Sequence, residues 1–321
     1  MAILQITFPF FALVLCGYVA TRRGVLPQAA IPGLNTFVLY FALPCLLYRF
    51  GASTPIHQLL NAPVLGIYLF CALVMVGAAV ALTRRGSMNW NNAAFGALVA
   101  AFPNTGFMGV PLLVALLGAQ AAGPVIVTIA TDLLVTSSLC IALSRLDSTG
   151  TDSAGVAARN ALRGVLSNPM PWAIVLGGLT SASGWALPAP LFKTVALLAD
   201  AASPVALFTI GAVLARARSD SDAVSAPHRW VDYVPVALLK LLLHPALVFV
   251  VALGAQQLGL ALDNFTVTVL VLLAALPSAS NVSLLAEKFG ADTGRIARII
   301  LFSTASAFVT FSCVARLMQD F

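Results

Sequence analysis

Phe102–Gly118 reads FPNTGFMGVPLLVALLG, and it sets Pro, Asn, Thr and Gly inside what is otherwise a membrane-spanning apolar segment. Pro103 and Pro111 have no N–H to donate, and their rings press on the carbonyls of Val99 and Phe107, so the helix must break or bend there. Hydrocarbon offers nothing to satisfy the freed groups. Broken backbone at bilayer depth persists only where it is buried in protein or lines a watery cavity, which marks such a break as a candidate binding site. The disruption returns at Leu276–Gly290, LPSASNVSLLAEKFG, where Pro277 is followed by Ser278, Ser280 and Asn281. One break in each half of the chain points to a carrier built as an inverted repeat.

Composition fixes the class. Of 321 residues, 60% are hydrophobic and 9% charged, with a mean hydropathy of +0.98; soluble domains are about 25% charged. An all-α polytopic membrane protein is expected. The net charge of +6 reads as basic cytoplasmic loops rather than a nucleic-acid surface. Cys16, Cys45, Cys71, Cys140 and Cys313 each fall in a different apolar segment, without a CxxC or Cys/His cluster. They read as small packing residues, so no metal or cofactor is expected. No basic region precedes the first apolar run, which therefore reads as a retained helix rather than a cleaved signal.

About 20 apolar residues make one crossing. That rule places helices near 3–20, 32–50, 62–83, 91–118 and 122–145, then near 170–187, 190–215, 231–255, 264–288 and 294–318. The chain divides into a first five-helix repeat over 1–145, a linker over 146–169, and a second repeat over 170–321. In the linker, Ala158, Leu162, Val165 and Leu166 share one face with Arg159 and Arg163 on another, the pattern of a short helix lying at the cytoplasmic interface. A charged loop is expected at Arg216–Arg229. All Lys and Arg except Arg49, Lys193, Arg316 and the intramembrane Lys240 fall in or beside odd-numbered connections, so both termini are expected outside the cytoplasm. Trp90, Trp172, Trp185 and Trp230 sit at predicted helix ends, where an aromatic belt would put them.

The halves match each other. TFPFFALVLCGY from Thr7 resembles NPMPWAIVLGG from Asn168, LPCLLYRF from Leu43 resembles SPVALFTI from Ser203, and the two Pro-broken helices correspond. With five crossings per repeat, an odd number, the second repeat enters the membrane upside down relative to the first. The fourth and ninth helices are then broken, and they cross at the midplane.

Each break exposes new helix ends. N–H groups starting at Asn104 and Ser278 carry the partial positive charge of a helix N-terminus, which favours an anion. Asn104, Thr105, Ser280 and Asn281 add short polar side chains suited either to binding a carboxylate or to capping the half-helices, and both readings stay open. Among ionisable residues inside helices, Asp132 is the deepest. It reads as a proton-carrying site or as a carboxylate satisfied by neighbouring hydroxyls. Lys240 and His244, one turn apart on the eighth helix, can supply positive charge to an anionic substrate or partner Asp132, while Lys240 can also snorkel. An intramembrane protease would need convergent carboxylates or a Ser/His or Ser/Lys pair. Asp132 and Asp200 come without any flanking signature, so no enzyme is expected.

FPNTGFMGVPLL and ALPSASNVSLLAEKFGAD resemble the auxin efflux carrier family, in the bacterial branch that includes malonate carriers, and NPMPWAIVLG, ASPVALFTIGAVL and LLKLLLHPAL are also similar to its patterns. The resemblance spans essentially the whole chain. It implies the fold of the bile-acid and sodium/proton carriers, with helices 1, 2, 6 and 7 as scaffold and helices 3, 4, 5, 8, 9 and 10 as transport unit. It also implies homodimers in the inner membrane that move small organic anions by an elevator motion. Carried over, the crossing prolines are Pro103 and Pro277, and Asn104 and Asn281 touch substrate. The long central hydrophilic loop of the plant members is missing. A short dicarboxylate such as malonate could engage both breaks, with Lys240 offsetting its second charge, whereas Phe102, Phe107 and Met108 leave an aromatic monoacid as the alternative. No Asp or Glu lies between Phe95 and Gly118, so proton coupling or uniport is favoured over sodium.

Overall fold

Apolar runs separated by short polar connections become helices throughout. The computed structural model describes residues 2–55, 61–84, 88–146, 166–185, 187–224, 230–319 and Phe321, and every extended regular element among them is helical. In chain order these are α1 (Ala2–Arg22), α2 (Ile31–Phe37), α3 (Leu43–Ser53), α4 (Ala62–Arg84), α5 (Trp90–Ala101), α6 (Val110–Leu117), α7 (Ala122–Thr131) and α8 (Ser137–Leu143). The second half adds α9 (Pro169–Ser183), α10 (Ala189–Val224), α11 (Trp230–Leu238), α12 (His244–Gln257), α13 (Asn264–Ala275), α14 (Val282–Lys288) and α15 (Thr293–Leu317).

Among the described residues, six helical spans are long and apolar enough to cross a membrane: Gln28–Ser53, Ala62–Arg84, Ala119–Leu143, Ala189–Arg216, Trp230–Gln257 and Thr293–Leu317. Thr7–Arg22, Thr105–Leu117 and Asn264–Ala275 are shorter apolar helices; the last two are short because a break halves the run they belong to. Residues 147–165, which carry most of the expected interfacial helix, lie outside the described residues. The expected loop from Arg216 differs from the structure, because α10 continues to Val224; ARARSDSDAV contains neither Gly nor Pro to stop it.

Four π-helical turns interrupt the spans, at Val38–Ala42, Thr105–Gly109, Asp132–Thr136 and Leu239–Leu243. Three of them run straight into a helix with proline in its first turn, Pro44, Pro111 and Pro245. The widened turn re-pairs the backbone around the missing N–H, so the helix carries on. Pro111, expected to break or bend the chain, is thus taken into the start of α6, and the interruption in this segment lies at Pro103.

The chain forms two compact units, Met1–Ala62 with Thr105–Ile129 and Leu166–Arg216, and Pro63–Asn104 with Ala130–Val165 and Ala217–Phe321. In the first, glycines let backbones touch. A Cβ on Gly51 would stand 3.2 Å from the Cα of Gly177, joining α3 to α9, and a Cβ on Gly211 of α10 would fall onto the carbonyl oxygen of Val14 in α1. Tyr48 and Thr180 share a hydroxyl hydrogen bond of 3.2 Å, and Ser181 Oγ donates to the Thr54 carbonyl at 2.7 Å. Arg49 and Asp200 form a 2.7 Å ion pair that remains partly exposed.

The second unit is built on two half-helices buried on all sides. Ala93 through Ala101 of α5 and Val269 through Ala275 of α13 are buried without interruption, as expected of helices apolar all round. At the far end of α5 a buried guanidinium ties elements together. Arg295 donates from Nε to the Asp232 carbonyl at 2.7 Å and from Nη1 to the Asn92 carbonyl at 3.0 Å, and it lies so close to Gly96 that a Cβ there would meet Nη1 at 2.7 Å. At their near ends both halves stop beside a proline, and the two extended stretches pair antiparallel. Asn104 N–H donates to the Pro277 carbonyl at 2.8 Å and Ala279 N–H to the Phe102 carbonyl at 3.0 Å. Pro103 and Ser278 sit at the centre of this bridge, where residues exchange no bond with each other, so the missing N–H of Pro103 costs nothing. The outward N–H of Ser278 donates to Ser303 Oγ at 3.2 Å, and Ser303 Oγ donates to the Ile300 carbonyl at 3.0 Å.

Two substitutions test this packing. Gly211→Ala overpacks the α1–α10 contact and is expected to cost about 1–3 kcal/mol, whereas Gly254→Ala, with nothing within 4 Å of the added Cβ, leaves the thermal midpoint of the detergent-solubilised protein unchanged. Ser303→Ala strands the Ser278 N–H and is expected to cost about 1–3 kcal/mol, read as a lowered midpoint that Ser303→Thr largely restores.

Candidate functional site

The polar residues singled out in the second break do not all serve alike. The N–H of Ser278 is committed to Ser303 and that of Ala279 to Phe102, and at the start of α14 the Val282 and Ser283 N–H groups close short turns of 3.3 Å onto Ala279 and Ser280. Ser283 Oγ also donates to the Ser280 carbonyl at 2.7 Å. In the first break the N–H of Asn104 is likewise spent, on Pro277. The leading backbone donors expected to face an anion, those of Asn104 and Ser278, are therefore already taken within the protein. Side chains remain: Ser278 Oγ and Asn281 Oδ1 are buried without a hydrogen-bond partner, and Asn281 makes no side-chain cap to α14. Asn104 and Ser280 are also buried in this unit. A hydroxyl and an amide in that condition want a ligand, since an unpaired buried polar group costs about 1–3 kcal/mol. Thr105 is buried as well, but it and Pro111 belong to the first unit.

Behind the second break lies a cluster of ionisable side chains. Asp132 and Lys240, both fully buried, each sit in a π-helical turn. Asp132 accepts from Tyr68 at Oδ2, 2.7 Å, and from Thr136 at Oδ1, 3.1 Å. Lys240 Nζ donates to the Ala274 carbonyl at 2.6 Å and lies 3.0 Å from His244 Nδ1. Ala274 is in the last turn of α13, whose orphan carbonyls carry the negative end of the helix dipole, so a cation belongs there. Lys240, a candidate substrate contact in the sequence, is held at the helix end three residues before Pro277. The Tyr68 ring lies 6.3 Å from the His244 ring, centroid to centroid, and His244 Nε2 is buried without a partner. Asp132, Tyr68, His244 and Lys240 thus form one chain of contacts.

Sequence reasoning missed Tyr68 and Ser303. A phenol in the middle of the apolar run Ala62–Arg84 was the available signal, because a buried Tyr hydroxyl needs a partner. Ser303 had none that local sequence could give. Among the described residues no group of three His, Cys, Asp or Glu side chains is placed to hold a metal ion.

The family described as "Membrane transport protein" matches residues 2–314. A Rhizobium meliloti (strain 1021) protein named "Putative malonate transporter" is 29% identical over 98% of this chain and 95% of its own length. "Auxin efflux carrier component 8" of Arabidopsis thaliana is 22% identical over 96% of this chain and 95% of its own length. A helical chain with several membrane-length apolar spans, matched from end to end by this family, is a multi-pass membrane transporter, and it belongs to the membrane transport protein family that includes the auxin efflux carriers.

Proposed function

We propose that this transporter is a secondary carrier of small organic anions, with a short dicarboxylate such as malonate as its substrate. The observation that carries the reading is the pairing of the two proline breaks, which leaves Ser278 Oγ and Asn281 Oδ1 buried and unpartnered beside the crossing. The hydroxyl can donate to a carboxylate, and the amide can turn its NH2 towards one. Lys240 adds positive charge at the neighbouring end of α13. The name of the Rhizobium meliloti relative supports malonate over other acids. In this reading the chain crosses the inner membrane ten times as two inverted five-helix repeats, with the fourth and ninth helices crossing at the midplane. Alternating access proceeds by an elevator movement of helices 3, 4, 5, 8, 9 and 10 against a scaffold of helices 1, 2, 6 and 7, in a homodimer.

An aromatic monocarboxylate is the second reading. It draws on Phe102, whose carbonyl belongs to the bridge, and on the name of the Arabidopsis relative.

Binding decides between them. Malonate is expected to raise the thermal midpoint of the purified protein and to compete for uptake into liposomes, and an aromatic acid that does both while malonate does neither replaces the dicarboxylate reading. Asn281→Ala is expected to weaken malonate binding by about tenfold to more than a hundredfold, the equivalent of roughly 1.5–3 kcal/mol for a hydrogen bond to a charged group. Orientation is tested separately. A reporter active only in the cytoplasm should work when inserted at Gly155 and fail when fused after Phe321; the reverse pattern rules out the inverted repeat with both termini outside.

A further inference from the structure

In the buried cluster behind the second break the carrier reading uses only Lys240; Asp132, Tyr68 and His244 have no part in it. Asp132 lies within hydrogen-bond distance of two hydroxyls, those of Tyr68 and Thr136, from which an ionised carboxylate can accept. Lys240 gives one hydrogen to the Ala274 carbonyl and is within reach of His244 Nδ1, the pattern of an ammonium beside a neutral imidazole, because two cations 3.0 Å apart in a buried place repel strongly. Asp132 and Lys240 interact electrostatically, and the charge of one balances that of the other. The balance can be changed by one proton. If Asp132 takes it up, the ammonium remains at Ala274 without its counter-charge, a few residues from the unpartnered side chains of Ser278 and Asn281.

We infer that Asp132, held by Tyr68 and Thr136 in the same buried cluster as Lys240 and His244, is the proton-binding site of this carrier, and that its protonation frees the charge of Lys240 to attract the substrate anion at the break. The inference rests on the carrier reading above. The step balances simply: one proton from the aqueous side binds a lone pair of the Asp132 carboxylate, travels with the anion, and leaves as a proton on the other side. No other bond changes. Because each ligand favours the state the other makes, anion and proton bind cooperatively and reciprocally.

The surrounding titratable groups are few. Tyr68 and Cys71 come from α4, and Cys140, eight residues on from Asp132, comes from α8 and feels its charge. The described parts of α5 and α13 contribute none. Those of α11 and α15 stand towards the helix ends: Asp232 and Tyr233, Arg295 and Arg298, Cys313 and Arg316. Asp232 is eight residues from Lys240, roughly 12 Å along a helix at 1.5 Å per residue.

The sign follows. Lowering the pH protonates Asp132 and tightens anion binding, by at most about tenfold per pH unit for one linked proton. The experiment uses the full chain in liposomes that contain a pH-sensitive dye, over the pH range in which both malonate carboxylates stay ionised. Malonate entry is expected to acidify the lumen, and malonate affinity to rise as pH falls. Asp132→Asn, a fixed mimic of the protonated form, is expected to bind malonate with the low-pH affinity at every pH and to move no proton. Malonate exchange that proceeds without acidification, or affinity in Asp132→Asn that still follows pH, overturns the proton site and leaves the carrier reading intact. Uptake driven by a sodium gradient with no proton movement does the same. Absence of both malonate binding and malonate exchange overturns the two together. Should Asp132→Asn fail to insert, the dye measurement on the unaltered protein decides alone.

Discussion

Two backbone hydrogen bonds, Asn104 to Pro277 and Ala279 to Phe102, carry the second unit. In a soluble protein a proline break would be satisfied by water. In a buried apolar setting the freed N–H and C=O groups must find protein, and here each break finds the other. The net gain per bond is only about 0.5–1.5 kcal/mol, but losing one leaves buried groups that cost about 1–3 kcal/mol each. Neither break can therefore rearrange without disturbing its partner, and α5 and α13 are held end to end as a pair. The full burial of both half-helices, one of them rich in alanine, is the packing counterpart of that backbone contact.

The buried charges follow the same economy of partners. Lys240 satisfies a carbonyl that the break at Pro277 would otherwise leave exposed, and Asp132 takes hydroxyls from Tyr68 and Thr136. Both stand in π-helical turns, where the widened backbone departs from regular helix, a feature frequent at functional sites. Arg295 is solved differently, by backbone carbonyls at Asp232 and Asn92 and by the absence of a side chain at Gly96. One cation is thus built into a helix end close to the candidate site, and the other into a joint between helix starts.

Sequence made the helices and their interruptions legible because those depend on local chemistry: apolar length, and proline without an N–H. The breaks at Pro103 and Pro277 fall where the apolar runs were expected to fail. At Pro111 the sequence calls for a break or a bend without saying which, and the π-helical turn at Thr105–Gly109 supplies an accommodation that residue spacing does not announce. What stayed hidden depends on segments far apart in the chain. Nothing near Asn104 says that its N–H belongs to Pro277, and nothing near Lys240 says that its ammonium reaches the Ala274 carbonyl. Tyr68 was missed because its meaning lies in Asp132.

The glycine contacts of the first unit set a timetable for biosynthesis. Helix α1 is matched to α10 through Gly17 and Gly211, and α3 to α9 through Gly51 and Gly177, so the early helices enter the membrane with backbone-deep grooves facing lipid. Their partners do not yet exist. At a synthesis rate of about 5–20 residues per second, the groove on α1 waits roughly ten to forty seconds for α10 to emerge. During that interval the nascent chain offers a smooth glycine-lined surface to any other helix in the membrane, until α9 and α10 arrive to cover it.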